Sequence, residues 1–156
     1  MVGLNCDHPD IYEFLHIKQN EEKLSSMNIS ILFTDEFMEA VKNDTDYTLR
    51  YHVESTGENI ERVIRARDFF MEFCETQWDW GDPGALFSDR LNDYHLLAGY
   101  PEYKIEITNP CGEFGGNAYN ACNLASINLY SMIDDKFSDE PKLNEDHFDG
   151  FWCNGR

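Results

Sequence analysis

Asn28 to Val41 reads NISILFTDEFMEAV. Its first half, NISILF, is a β-branched apolar run without alternation, the pattern of a strand covered on both faces. Thr34 or Asp35 follows as a helix cap, and Phe37, Met38 and Val41 then recur at helical spacing. The stretch therefore predicts a buried strand that turns directly into a helix.

Working outward, Val2–Cys6 (VGLNC) is a second short apolar run, read as another buried strand ending at Asp7. Asp7 is positioned to cap the next element. With Pro9 in the first turn and Ile11, Phe14, Leu15 and Ile17 at helical spacing, a helix is predicted over 9–19. His8 and His16 fall to cap and surface roles. The polar run Gln19–Lys23 reads as a solvated turn. On the C-terminal side, YTLRYHV (47–53) alternates and predicts a solvent-facing antiparallel strand, half of a hairpin peripheral to the core.

Between Glu58 and Trp78, the positions Ile60, Val63, Ile64, Phe70, Met71, Cys74 and Trp78 fit one long helix. Cys74 belongs to its apolar stripe. Arg62, Arg65 and Arg67 are assigned to surface ion pairs with the acidic residues at 58, 61 and 68 rather than to a phosphate patch. GDPG (81–84) is turn chemistry, ALFSDRLN (85–92) a further short helix, and KIEIT (104–108) a strand that delivers Asn109 to a loop. Strands separated by helices give an α/β class with mainly parallel strands.

The chain has 156 residues, 42% hydrophobic and 14% aromatic. That is a globular composition, long enough for one domain that buries roughly 70% of its extended-chain surface. A net charge of −18 and a pI near 4.4 exclude nucleic-acid and anionic-membrane partners, whose long-range interaction would be repulsive. A free nucleotide is still admissible, because a local site can oppose the global field. No leader pattern opens the sequence and no apolar run reaches membrane-spanning length, so a soluble, cytoplasmic protein is expected. Five cysteines at 6, 74, 111, 122 and 153 form no CxxC pair, and the five histidines are scattered. Neither a zinc site nor a disulfide framework is indicated.

Chemistry concentrates at 107–129, ITNPCGEFGGNAYNACNLASINL. Pro110 fixes its own φ and biases Asn109 towards extended backbone, while Gly112 permits close approach, so Cys111 is a presented thiol. Glu113 is a proton acceptor, and Asn109 offers both a donor and an acceptor. In an extended segment the period of two places Asn109, Cys111 and Glu113 on one side. Cys122 stands eleven positions after Cys111, beyond a small-residue loop, and the later half of CNLASINL reads as a short buried strand. The plainer alternative is that both cysteines are small buried hydrophobes.

NPCGE followed by CNLASINL resembles the active-site finger loop of the ribonucleotide reductase large chain. The short Cys-to-Cys spacing resembles the class II, adenosylcobalamin-dependent enzymes. HPDIYEFLHIK (8–18), NISILFTDEFMEAV and WGDPGALFSDRLN (80–92) are similar to the same family. The resemblance implies part of a ten-stranded α/β barrel with the finger loop threaded through its centre. It implies Cys111 as thiyl carrier, Asn109 and Glu113 as partners of the substrate hydroxyls, and Cys122 as one of two reducing thiols. The implied activity is reduction of a ribonucleoside di- or triphosphate for DNA precursor synthesis, with adenosylcobalamin as cofactor and an external dithiol, thioredoxin-like, as reductant. Deoxynucleotide and ATP effectors, and a homodimer or complementary barrel segments, are the further partners implied.

The resemblance runs from Met1 to about Ile133, so residues 1–137 are expected to be a partial catalytic barrel and 138–156 a divergent acidic tail. The family chain is several times longer; the partner of Cys122, the effector loops and the substrate-phosphate loop are expected to lie outside this sequence. Two alternatives accompany this reading. One is a class I large subunit, against which Pro110 and the eleven-residue spacing count. The other is a non-catalytic fragment or interaction module. A cysteine peroxidase or thiol hydrolase is weaker, because no histidine lies near Cys111 in sequence.

Overall fold

The strand read at Asn28–Phe33 is the centre of a parallel sheet. In the computed structural model, which describes residues 1–19 and 26–146, β1 spans Val2–Asn5, β2 spans Ile29–Phe33 and β5 spans Gly84–Phe87. They pair in the order β1-β2-β5, both pairings parallel. All five residues of β2 are buried, as an unalternating apolar run requires. Most of the expected turn at Gln19–Lys23, and Cys153 with the FWCNGR ending, lie outside the described residues.

Parallel neighbours need crossovers. The first contains α1 (Ile11–Leu15) and a 3-10 turn at Ile17–Gln19. This element is shorter than the predicted 9–19 helix and does not use Asp7 as its cap. Instead His8 Nδ1 accepts the Asp10 N–H at 3.1 Å, and the Asp7 carbonyl accepts the Arg50 N–H at 2.6 Å. His16 Nε2 lies 2.6 Å from Glu72 Oε1, a half-exposed contact between the two crossovers.

The second crossover holds α2 (Asp35–Asn43), β3 (Asp46–Val53), β4 (Glu58–Arg65) and α3 (Ala66–Trp80). Thr34 caps α2, its side chain accepting the Phe37 N–H at 3.2 Å. The single long helix predicted over 58–78 is not present. Glu58–Arg65 is a strand antiparallel to β3, and only the part from Ala66 onward is helical. Ile60, Val63 and Ile64 satisfy helical spacing by coincidence; the deciding signal is Gly57, whose φ of 73° closes a turn that β-branched residues extend on both sides. Tyr47, Leu49 and Ile64 are core residues, so the hairpin is peripheral in its distal half, where Tyr51 and Ile60 are exposed; nearer the base, Val63 opposite Thr48 is exposed as well.

Two of the three arginines, Arg65 and Arg67, form ion pairs, with partners other than those predicted. Arg65 meets Asp44 at 2.8 Å and Asp46 at 3.1 Å. Arg67 donates to the carbonyls of Val41 at 3.0 Å and Lys42 at 2.8 Å, satisfying the last turn of α2. Arg62 sits over the Tyr12 ring, 5.4 Å from its centroid.

Phe33 is the hub of the core. Its ring lies 5.3 Å from Phe37, 5.1 Å from Phe73 and 5.7 Å from Phe70. On α3, Ala66, Phe69, Phe73 and Thr76 are buried, the stripe of one helix face. Cys74 is partly buried against this core. The helix predicted at 85–92 divides into β5 and α4 (Ser88–Asp93), because Ala85–Phe87 has an open sheet position beside β2. Of the predicted strand 104–108, only β6 (Ile107–Thr108) is paired; its partner is β7 (Gly115–Gly116), antiparallel.

By contacts the chain divides into Met1–Ala121 and Cys122–Arg156. In the second unit, 122–128 has no regular structure, followed by a 3-10 turn at Leu129–Met132 and a short antiparallel pair, β8 (Ile133–Asp134) with β9 (Lys142–Leu143). The strand predicted in CNLASINL is absent; Leu124 and Leu129 are exposed, and an apolar run without a pairing neighbour forms no ladder. The mixed helix-and-strand class holds, but the strands are not mainly parallel: among the described residues two pairings are parallel and three antiparallel, because the hairpins join strands through short turns. Among the described residues there is no closed barrel, and no helix is long and apolar enough to cross a membrane.

Two stability outcomes follow from the core. Phe33→Ala should lower unfolding free energy by about 3–5 kcal/mol, the usual range for a buried aromatic; a denaturant titration showing less than about 1 kcal/mol would contradict the hub. Burial pushes the Cys6 thiol up from its ordinary 9.0 and the Tyr47 hydroxyl up from 10.0. The unfolded chain therefore releases these protons first, so their stabilisation is complete below about pH 9 and is lost as pH rises further. Denaturant midpoints from pH 7 to 11 should fall less steeply in Cys6→Ala/Tyr47→Phe than in the parent chain; equal slopes would refute this.

Candidate active site

The candidate site is built on the β6–β7 hairpin. Beyond its two residue pairs, the hairpin is extended by Glu106 N–H to Gly116 O at 2.9 Å and Asn109 N–H to Phe114 O at 3.1 Å. Its base is fixed by close packing. A Cβ placed on Gly115 would lie 2.8 Å from Ile105 Cδ1, and one on Gly3 of β1 would lie 3.0 Å from Ile107 Cδ1. Two positions without side chains thus let Ile105 and Ile107 lie directly on β7 and on the parallel sheet.

At the tip, Asn109 O accepts the Gly112 N–H at 3.0 Å, so Asn109–Gly112 is a tight turn with Pro110 and Cys111 in its central positions. Pro110 supplies a preset φ, and Gly112 at φ 79° occupies the left-handed region that closes the turn. The extended geometry expected for 109–113 is therefore replaced by a reversal. Asn109 and Glu113 still meet, for a different reason: the chain folds back on itself. Asn109 Nδ2 donates to Glu113 Oε1 at 2.5 Å, and Asn109 Oδ1 accepts the Phe114 N–H at 3.0 Å. Cys111 occupies the exposed corner between them.

This arrangement has definite chemical capacity. Glu113, held through Oε1 by the Asn109 amide, is a fixed acceptor whose second oxygen can meet an incoming hydroxyl. Asn109 retains a second amide N–H for the same purpose. The thiol between them is open to a reagent approaching the tip. Cys122, the fourth expected residue, opens the second unit; it is also exposed, its Sγ 4.0 Å from the neighbouring Asn123 carbonyl. Cys6, by contrast, is fully buried, 3.9 Å from Thr34 Oγ1.

Beside the hairpin is a cleft of about 260 Å³ lined by His95, Tyr103, Asn117 and Tyr119 among others. That is below the roughly 300–1,000 Å³ of ordinary ligand pockets, and the described residues contain no cluster placed to hold a metal ion. Sequence reading missed the supports of the hairpin. Asn92 Oδ1 accepts the Ile105 N–H at 2.8 Å and its Nδ2 donates to the Ile105 carbonyl at 3.1 Å. No local pattern marks Asn92, because its partner lies 13 residues away.

Residues 1–150 match the family model of the ribonucleotide reductase barrel domain. The chain belongs to that family. Among its relatives, the vitamin B12-dependent ribonucleoside-diphosphate reductase of Thermoplasma acidophilum is 38% identical over 144 residues, 91% of this chain and 18% of that protein. The enzyme of the same name from Mycobacterium tuberculosis is 36% identical over 93% of this chain and 20% of its own length. The vitamin B12-dependent ribonucleotide reductase of Streptomyces clavuligerus is 33% identical over 86% of this chain and 16% of its length. The chain therefore spans under a quarter of the relatives it matches.

Thiol accessibility gives a direct check on the site. Under native conditions iodoacetamide should modify Cys111 and Cys122 readily and Cys6 only after unfolding, as read by peptide mass spectrometry. Modification of Cys6 at a rate comparable to Cys111 would contradict this burial pattern.

Proposed function

We propose that this chain is the finger-loop portion of a class II, adenosylcobalamin-dependent ribonucleotide reductase, and that in a complete enzyme it takes part in reducing ribonucleoside di- or triphosphates. The supporting observation is the Asn109–Glu113 hydrogen bond across the turn that leaves Cys111 exposed. Membership in the family and the names of the relatives favour the same reading. β1, β2 and β5 would be three strands of the ten-stranded barrel, with β1 and β5 as the edges along which further strands add. Residues 1–137 would be the partial barrel and 138–156 a divergent acidic tail.

The donor chemistry of the tip fits the cofactor: an exposed sulfur is accessible to one-electron oxidation. Adenosylcobalamin, when bound, supplies the oxidising radical. The residues that hold it are assigned to the remainder of a full-length chain, since the cleft beside the hairpin is too small to enclose a macrocycle. The steps of this chain are then as follows. The Cys111 thiyl removes the 3′ hydrogen of the ribose, and Glu113 takes the 3′-hydroxyl proton while the Asn109 amide orients the substrate. The 2′-hydroxyl leaves as water. Cys122 and a second thiol from elsewhere in the enzyme supply two electrons and two protons and become a disulfide, which an external, thioredoxin-like dithiol reduces. The hydrogen held on Cys111 returns to C3′. Nucleotide effectors and homodimerisation are carried over as properties of the complete assembly.

The test mixes this chain with the flanking segments of a related full-length enzyme and assays deoxyribonucleotide formation with adenosylcobalamin and dithiothreitol. Turnover is expected in the mixture, lost in Cys111→Ser and reduced about 10²–10⁴-fold in Glu113→Gln, the usual contribution of a positioned acid or base. No turnover from folded, associated components would leave a non-catalytic fragment as the better description.

A further inference from the structure

We propose that Asn92 is the positioning residue that suspends the Cys111 hairpin from the parallel sheet. The path begins at the C-terminal end of β2, where Ser88 Oγ donates to the Phe33 carbonyl at 3.2 Å. Asp89 accepts the Asp35 N–H at 2.7 Å and Arg90 pairs with Asp35 at 3.1 Å. These contacts fix α4 to the end of β2 and the start of α2. At the opposite end of α4, Asn92 Nδ2 donates to Ser88 O at 2.9 Å and to Ile105 O at 3.1 Å, while its Oδ1 accepts the Ile105 N–H at 2.8 Å.

One side-chain amide thus gives Ile105 the donor and acceptor that an adjacent strand would give. This explains why the backbone before β6 is satisfied without a ladder. Ile105 in turn covers Gly115 on the opposite strand, so moving Ile105 moves both strands of the hairpin and the turn they carry. The side-chain requirement is narrow. Aspartate offers acceptors only: it would retain the Ile105 N–H and set an anionic oxygen against two carbonyls. Leucine offers neither group.

The catalytic meaning of this role rests on reading Cys111 as the reactive thiol, whereas the positioning does not. The test therefore reads backbone exchange in this chain and not turnover. Amide hydrogen exchange, followed residue by residue by NMR, compares the parent with Asn92→Asp and Asn92→Leu. In both variants the Glu106, Asn109 and Phe114 amides should exchange about tenfold faster or more, on the order of one lost net hydrogen bond. The Ile31 and Leu32 amides of β2 should keep their parental rates. The Ile105 amide should separate the variants, remaining protected in Asn92→Asp and exposed in Asn92→Leu. Unchanged hairpin amides would overturn the proposal. So would a parallel rise in hairpin and β2 amides, which would mean that Asn92 stabilises the fold without positioning the loop. If Asn92→Leu does not fold, the isosteric Asn92→Asp decides on the same amides.

Discussion

Burial of β2 is the constraint on which the rest of the structure depends. Five consecutive buried residues require cover on both faces and a ladder on both edges. One face is covered by α1, α2 and α3, which pack around Ile31 and Phe33; on the other, Leu32 and Ile107 of β6 meet over Gly3; the two edges are taken by β1 and β5. Phe33, the last residue of the strand, joins α2 and α3 through aromatic contacts. Its carbonyl accepts from the Ser88 hydroxyl at the first residue of α4. A single residue therefore ends the strand, centres the core and begins the support of the loop.

From that point the path to the candidate site consists of polar contacts. The sheet is rigid because it is packed; the hairpin is placed by amide geometry, through Asn92 and then Asn109. The two asparagines perform similar tasks at successive levels. Asn92 imitates a strand for Ile105, and Asn109 closes the turn that bears Cys111 while bonding Glu113. Close approach at Gly3 and Gly115 completes the seat. Exposure of Cys111 follows from this construction, because a thiol at a turn corner has no packing partner.

Much of this was legible from residues alone. β2 and α2 follow from an unalternating apolar run and a helical stripe, each of which points to one outcome; the residues leave the cap open between Thr34 and Asp35, and folding selects Thr34. The partners of the tip, Asn109 and Glu113 around Cys111, were legible as a set through their motif, although the geometry that unites them was not. The errors share a physical origin. Glu58–Arg65 fits a helix when read alone and becomes β4 because β3 is present to pair with it. Ala85–Phe87 becomes β5 because β2 offers an edge, whereas CNLASINL, with no ladder to join among the described residues, forms no strand.

By itself the sequence determined the elements whose causes are local: the buried strand, the helix that follows it, and the break at Gly81–Pro83 between α3 and β5. It also determined the family, through blocks of residues. Only the tertiary structure decided which apolar runs became strands, which carbonyls the arginines cap, and how the Cys111 turn is held above the sheet. Those outcomes depend on partners 13 or more residues away, such as Ile105 for Asn92 and Ser88 for Phe33. A hydrogen bond or a ladder needs both of its sides, and only folding brings the second side into place.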